Sequence, residues 1–302
     1  MTVEAYAFPG FDLDEVGSDG TSIFVRRAGR GPPVLLLHGF PETGLMWRAV
    51  APVLAQDFAV TVADLPGYGR SGIPADGAGA KPMSKRALAN ALVRCMRDAD
   101  HKLFAIVGHD RGARVAYRAA LDHPGSISKA VVLDVVPTHD AWDLADARFA
   151  LAFWPFSLLA QPAPLPERLV SAVPDAVVDN ALAVWGTPAE TFPAWLRAEY
   201  VEALRDPARV HAICEEYRAA ASIDRDHDKA DLQAGRRMRC PLLALWSDRG
   251  ALSQWYRDVG GPLGLWRRWA DDVRGQAIAG GHFFPEENPV ETAALIRAFL
   301  LE

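Results

Sequence analysis

The sequence predicts an α/β fold in which a doubly wound, mostly parallel sheet is interrupted once by a helical cap. Two observations predict it. Short apolar runs alternate with segments of helical spacing over residues 1–136 and return over 236–302, and such alternation implies parallel strands joined by right-handed crossovers. Between them, residues 137–235 are rich in Trp, Pro and Ala and contain no convincing strand. Strands are predicted at 23–27, 33–38, 59–64, 103–107, 129–134, 241–246 and 273–278. The run at 33–38 is apolar enough to be buried on both faces of the sheet. Helices are predicted at 45–54, 84–99, 113–121 and 290–300 from their 3.6-residue spacing. The Gly/Ala/Pro stretch at 73–82 reads as a surface loop. In a sheet of this kind the ligand site lies at the carboxyl ends of the strands, where the cap would cover it.

Composition narrows the function classes. The chain has 302 residues, half of them hydrophobic, and a net charge of −6. That charge gives no electrostatic case for nucleic acid or an anionic membrane, so the expected partner is a small molecule. The N-terminal residues have neither the basic nor the continuous apolar segment of a secretory signal, and no run approaches the roughly 20 apolar residues of a membrane span. Three scattered cysteines, Cys95, Cys214 and Cys240, show no metal-ligand spacing. They are expected to be structural thiols in a cytoplasmic protein.

The chemistry centres on Val107-Gly108-His109-Asp110-Arg111-Gly112-Ala113, which directly follows an apolar run. Gly-x-nucleophile-x-Gly fits a sharp strand-to-helix turn, where small flanking residues relieve crowding and expose the central side chain. A carboxylate there displaces a leaving group from carbon and leaves an ester that water must hydrolyse. The loop His38-Gly39-Phe40-Pro41 follows a buried strand and is expected to lend a backbone N–H, with that of Arg111, to an oxyanion beside Asp110, with Phe40 a substrate-binding candidate. His282 lies between the last predicted strand and the last helix, a position from which it reaches the turn as a base toward water. Asp134 and Asp248 each end a predicted strand, and the residues alone leave open which orients the histidine.

Arg111 and Arg114 place two cations in the first turn of a helix, the end that already carries partial positive charge. Three residues apart, they form a fork for a carboxylate, which guanidinium recognises with paired hydrogen bonds.

Together with Gly67-Tyr-Gly-Arg-Ser71, Leu121-Asp-His-Pro124 and Gly281-His-Phe-Phe-Pro-Glu286, these motifs resemble the haloacetate (fluoroacetate) dehalogenases of the α/β-hydrolase superfamily over nearly the whole chain. Related haloalkane dehalogenases and epoxide hydrolases usually carry Trp directly after the nucleophile, where this chain has Arg111. The resemblance implies an α/β-hydrolase fold and a cofactor-independent hydrolytic dehalogenase of short 2-haloacids, active as a homodimer. It implies Asp110 as nucleophile, His282 as base and Asp134 as its acid, with Arg111 and Arg114 on the substrate carboxylate. Tyr217 would help bind halide and Trp185 would line the pocket. The family's His-Trp pair of halide donors is replaced by Pro155 and Phe156, which offer none, and defluorination is the activity this weakens most. Trp154 reads as an aromatic core residue of the cap rather than a substitute donor. An epoxide hydrolase, using the same Asp-His-Asp set with cap hydroxyls, is the alternative.

Overall fold

The structure is a computed structural model and describes residues 2–18, 20–75 and 80–302. Its eight-stranded sheet runs β1 (Asp12–Ser18), β2 (Thr21–Ala28), β3 (Pro33–Leu37), β4 (Ala59–Ala63), β5 (Phe104–His109), β6 (Ile127–Leu133), β7 (Leu242–Ser247) and β8 (Val273–Ile278), in the spatial order β1-β2-β4-β3-β5-β6-β7-β8. β1 and β2 pair antiparallel, as do β2 and β4, and the remaining pairs are parallel. The order turns back between β4, β3 and β5, so a crevice opens at their carboxyl ends. β3 and β5 are central and wholly apolar in their interior, and every residue of β5 is buried. The α/β-hydrolase fold predicted from the sequence is therefore the observed one.

One strand lay outside the expectations, and one expected helix needs correction. β1 carries no apolar alternation, since Asp12, Leu13, Asp14 and Glu15 are all exposed. It is held to the sheet edge by backbone pairing to β2, which leaves no side-chain signature. The helix expected at 45–54 is instead a 3-10 turn, Gly44–Arg48, followed by a short helix, Ala51–Leu54. Pro52 lacks the N–H that a continuous helix needs at that point. The helix expected at 84–99 is found at Lys85–Asp98, where the Ser84 hydroxyl accepts from the Ala87 N–H at 3.3 Å. Part of the loop expected at 73–82 lies outside the described residues.

Between β6 and β7 the chain is helical throughout, from Thr138–Asp143 to Ile223–Gln233, and this insertion packs over the carboxyl end of the sheet. Its Trp185 carbonyl accepts from the His282 N–H at 2.8 Å, and its Thr187 hydroxyl accepts from the Phe283 N–H at 3.1 Å. The insertion is thus tied directly to the loop after β8. No helix among the described residues is long and apolar enough to cross a membrane.

Candidate active site

Asp110 sits at the turn between β5 and the helix Arg111–Asp122 with φ +43° and ψ −111°. That conformation is costly for a residue with a Cβ and persists only where its surroundings enforce it. The flanking glycines explain how the chain reaches it. A Cβ on Gly108 would lie 2.4 Å from the Gly112 backbone, and one on Gly112 would lie 2.5 Å from the His38 carbonyl oxygen. The turn therefore closes only with hydrogen at both positions, and it leaves the Asp110 carboxyl projecting into a cavity. The Phe40 N–H donates to Asp110 Oδ2 at 3.1 Å, so the loop after β3 is already aimed at the carboxyl. Burial alone would raise the Asp110 pKa, but the electrostatic influence of His282, Arg111, His109 and Arg114 outweighs it and holds the group below the usual carboxylate value. The carboxylate is ionised.

His282 Nδ1 lies 2.6 Å from Asp134 Oδ2. Because a carboxylate only accepts, Nδ1 carries the hydrogen and Nε2 is left as the basic nitrogen. The other Asp134 oxygen accepts from the Ser247 N–H at 2.9 Å, which fixes the carboxylate at the end of β6. Asp248 is half exposed and accepts from the Gly280 N–H at 3.1 Å. Of the two strand-ending aspartates, Asp134 meets the histidine, and Asp248 ties down the loop before it.

The two arginines behave differently. Arg114 lines the cavity; its Nη1 donates to the Val136 carbonyl at 3.1 Å and to the Thr138 hydroxyl at 3.2 Å, and its Nε is buried without a partner. It forms no carboxylate ion pair among the described residues. Arg111 departs from the expected fork. Its Nε and Nη2 are held by Glu216 at 2.7–3.0 Å, its guanidinium lies 3.9 Å over the Tyr217 ring, and only Nη1 is left buried without a partner. Glu216 in turn pairs with Lys85, whose ammonium is pushed far below its ordinary pKa by burial and by the charges of Arg111 and Arg114. The sequence reading missed Glu216 because nothing local separates it from its adjacent, partly buried neighbour Glu215, which pairs with Arg218.

The cavity encloses about 450 Å³ of empty space, part of it open to solvent, with Asp110, Asp134, His282 and Arg114 at its polar end. Phe149, Phe153, Pro155, Phe156, Trp185 and Leu252 make most of its apolar wall. Phe40 touches the site through its amide, and its ring packs edge-on against Tyr217 at 5.8 Å. Trp185 lines the wall, but its indole N–H is spent on the Ala152 carbonyl at 2.8 Å. The Trp154 indole N–H is buried without a partner and lies away from the cavity lining. Two hydroxyls remain, those of Tyr217 and Tyr256. Both residues line the cavity and are buried, and neither hydroxyl has a hydrogen-bond partner among the described residues. Tyr256 lies beyond β7, and no motif or spacing in the sequence pointed to it.

Residues 32–167 match the family described as the alpha/beta hydrolase fold. A fluoroacetate dehalogenase from Burkholderia sp. is 38% identical over 294 residues, covering 97% of this chain and 95% of that protein. The chain belongs to the haloacetate dehalogenase-like α/β hydrolases. Solved structures agree on the fold of this hydrolase. ALR0039 of Nostoc sp PCC 7120, ascribed to the α/β hydrolases, superposes with a TM-score of 0.92 at 42% identity over 96% of this chain and 98% of that one. A Pseudomonas aeruginosa protein ascribed to the epoxide hydrolases gives 0.90 at 42% identity, covering 97% and 96%.

Proposed function

We propose that this hydrolase converts a short 2-haloacid to the 2-hydroxy acid through an ester on Asp110. The observation that carries the reading is Arg114, a buried guanidinium that faces the cavity without a carboxylate partner. An unpaired buried charge costs several kcal/mol even after relaxation, and an anionic substrate beside the nucleophile relieves that cost. The similarity to a fluoroacetate dehalogenase supports the same chemistry.

In the first step an Asp110 carboxylate oxygen bonds to carbon 2 of the acid, and the halide leaves with the bonding electron pair. Arg114, with the free Nη1 of Arg111, holds the substrate carboxylate. In the second step His282 Nε2 takes a proton from water, which attacks Cγ of the Asp110 ester. The Phe40 N–H, already directed at this carboxyl, receives the negative oxygen, joined by the Arg111 N–H. Collapse releases the 2-hydroxy acid and regenerates the carboxylate, and the proton leaves from His282. Asp134 stabilises the imidazolium that forms in between. The helical insertion acts as the cap.

The halide is received by the Tyr217 and Tyr256 hydroxyls. Losing one preorganised donor to a developing anion costs roughly 3 kcal/mol, and fluoride depends most on such donors. Bromide and chloride are therefore expected to be released faster than fluoride. Incubation with bromo-, chloro- and fluoroacetate while halide is measured tests the reading, and a folded sample that releases none of the three refutes it.

The same two tyrosine hydroxyls favour a second reading, epoxide hydrolysis, in which they protonate the opening ring. A neutral epoxide leaves Arg114 uncompensated, which ranks this reading second. Diol formation from a styrene oxide panel, without halide release, would reverse the order.

A further inference from the structure

Behind the nucleophile lies a closed cluster that the reaction scheme does not use. Glu42, two residues past Phe40, and Glu286, in the short helix Phe284–Glu287, both have side chains shut off from solvent. His109 stands between Glu42 and the catalytic loop. Its Nε2 is 2.9 Å from the His282 carbonyl oxygen, which can only accept, so Nε2 carries the hydrogen. Its Nδ1 is 3.0 Å from Glu42 Oε2. A neutral imidazole has only a lone pair to offer there, so a proton must lie between the two atoms. Burial disfavours the imidazolium and holds His109 below its ordinary pKa, which leaves the proton on Glu42.

The next contact raises the same question. Glu42 Oε1 and Glu286 Oε2 are both buried without a hydrogen-bond partner, and the two carboxyls are near enough to influence each other's titration. With Glu42 neutral its Oε1 offers only lone pairs, and an ionised Glu286 Oε2 would face it with lone pairs as well; a dry interior disfavours two facing acceptors with no hydrogen between them, so a second proton belongs here, on Glu286. The far oxygen of Glu286 accepts from Arg48 and, at 3.2 Å, from the Tyr200 hydroxyl.

We propose that Glu286 and Glu42 are held as neutral acids in a one-way relay that fixes the catalytic base. The Glu286 O–H donates to Glu42, the Glu42 O–H to His109 Nδ1, and His109 Nε2–H to the His282 carbonyl. With the His282 N–H on Trp185 and its ring on Asp134, this gives His282 a third fixed point. Glu42 and Glu286 are positioning residues for ester hydrolysis, an inference that rests on reading His282 as the base. The electrostatics agree. Burial pushes Glu42 up to about 7 and Glu286 well above its usual range. The groups facing the pair are Arg48, His109, Asp110, Tyr200 and His282; Asp110 adds to the upward shift of Glu42, while His282 opposes it on Glu42 and Arg48 on Glu286.

The test compares Glu42→Gln, which keeps a donor for His109 and an acceptor for Glu286, with Glu42→Leu, which keeps neither. The leucine variant is expected to lower kcat about 10- to 100-fold with KM little changed, the usual size of an outer-sphere loss, and glutamine is expected to restore most of it. Thermal unfolding from pH 5 to 8.5 supplies a readout independent of turnover. A native acid with a pKa above its unfolded value keeps its full stabilisation below the unfolded pKa and loses it as pH rises toward 7. The parent should therefore lose ~5 °C of melting temperature relative to Glu42→Gln across that range. A melting difference that is flat with pH overturns the proposal, as does a glutamine variant no more active than the leucine one. If Glu42→Leu does not fold, Glu42→Gln decides alone through its melting profile. If no haloacid is turned over, the functional reading fails while the melting result still judges the relay.

Discussion

At Arg114 a buried cation is held by neutral acceptors alone, and its charge is left for whatever enters the cavity. Replacing it with Met removes the charge but keeps most of the volume. Arg114→Met is expected to raise KM for chloroacetate about 100-fold, the worth of a charge-assisted pair, measured by steady-state chloride release. Tyr256→Phe removes one of the two free hydroxyls and nothing structural, so kcat for chloride release should fall about tenfold or more while the melting temperature stays within a degree or so. That Asp110 and His282 would come together was legible in the sequence because each sits where a strand ends, and the fold collects strand ends at one edge; the same position left Asp134 tied with Asp248, and only the family resemblance chose between them. Glu216 and Glu42 were not. Their partners are 105 and 67 residues away, and no local spacing reports a contact of that kind. Arg111 shows the same limit: its charge was readable, but its neutralisation by a helix of the insertion was not.

At the scale of the element, the turn from β5 into the helix Arg111–Asp122 is the most constrained piece of the chain. Its glycines are required by close approach of backbone atoms, which no side-chain rearrangement relieves. Gly112→Ala is expected to cost more than about 3 kcal/mol of stability, read by chemical denaturation, and to abolish activity in whatever fraction folds. A variant as stable as the parent would show that the turn is looser than its geometry. The buried strands were legible because parallel strands covered on both faces read as continuous apolar runs. β1 was invisible because an edge strand held by its backbone has no such run, and the expected helix at 45–54 broke where Pro52 interrupts the hydrogen-bond ladder.

Across the whole molecule, buried titratable groups pull stability in opposite directions. His38 accepts from the Leu65 N–H at Nε2 and must donate to the Gly39 carbonyl at Nδ1, so it is native only as the neutral form, and burial lowers its pKa to about 4. The unfolded chain takes up that proton near pH 6.5, so the His38 contribution is present above that value and is lost as pH falls toward 4. Glu42 acts in the reverse sense over nearly the same window. Parent stability should thus be comparatively flat between pH 7 and 5, and Glu42→Gln should expose the His38 loss, about 2 kcal/mol by pH 5, in urea titrations at the two pH values. An equally flat profile in the variant would contradict this. The sheet order and the helical insertion follow from patterns spread along the chain; the buried charge clusters depend on how the finished layers meet. The central claim, a carboxylate nucleophile attacking the carbon next to an acid, is tested most directly by incubating His282→Ala with bromoacetate and measuring the intact mass and the modified peptide. An ester of the acid's carbon skeleton, accumulating on Asp110 with one bromide released per chain, is the predicted result. A folded variant that gains no mass, or gains it at another residue, would contradict the account.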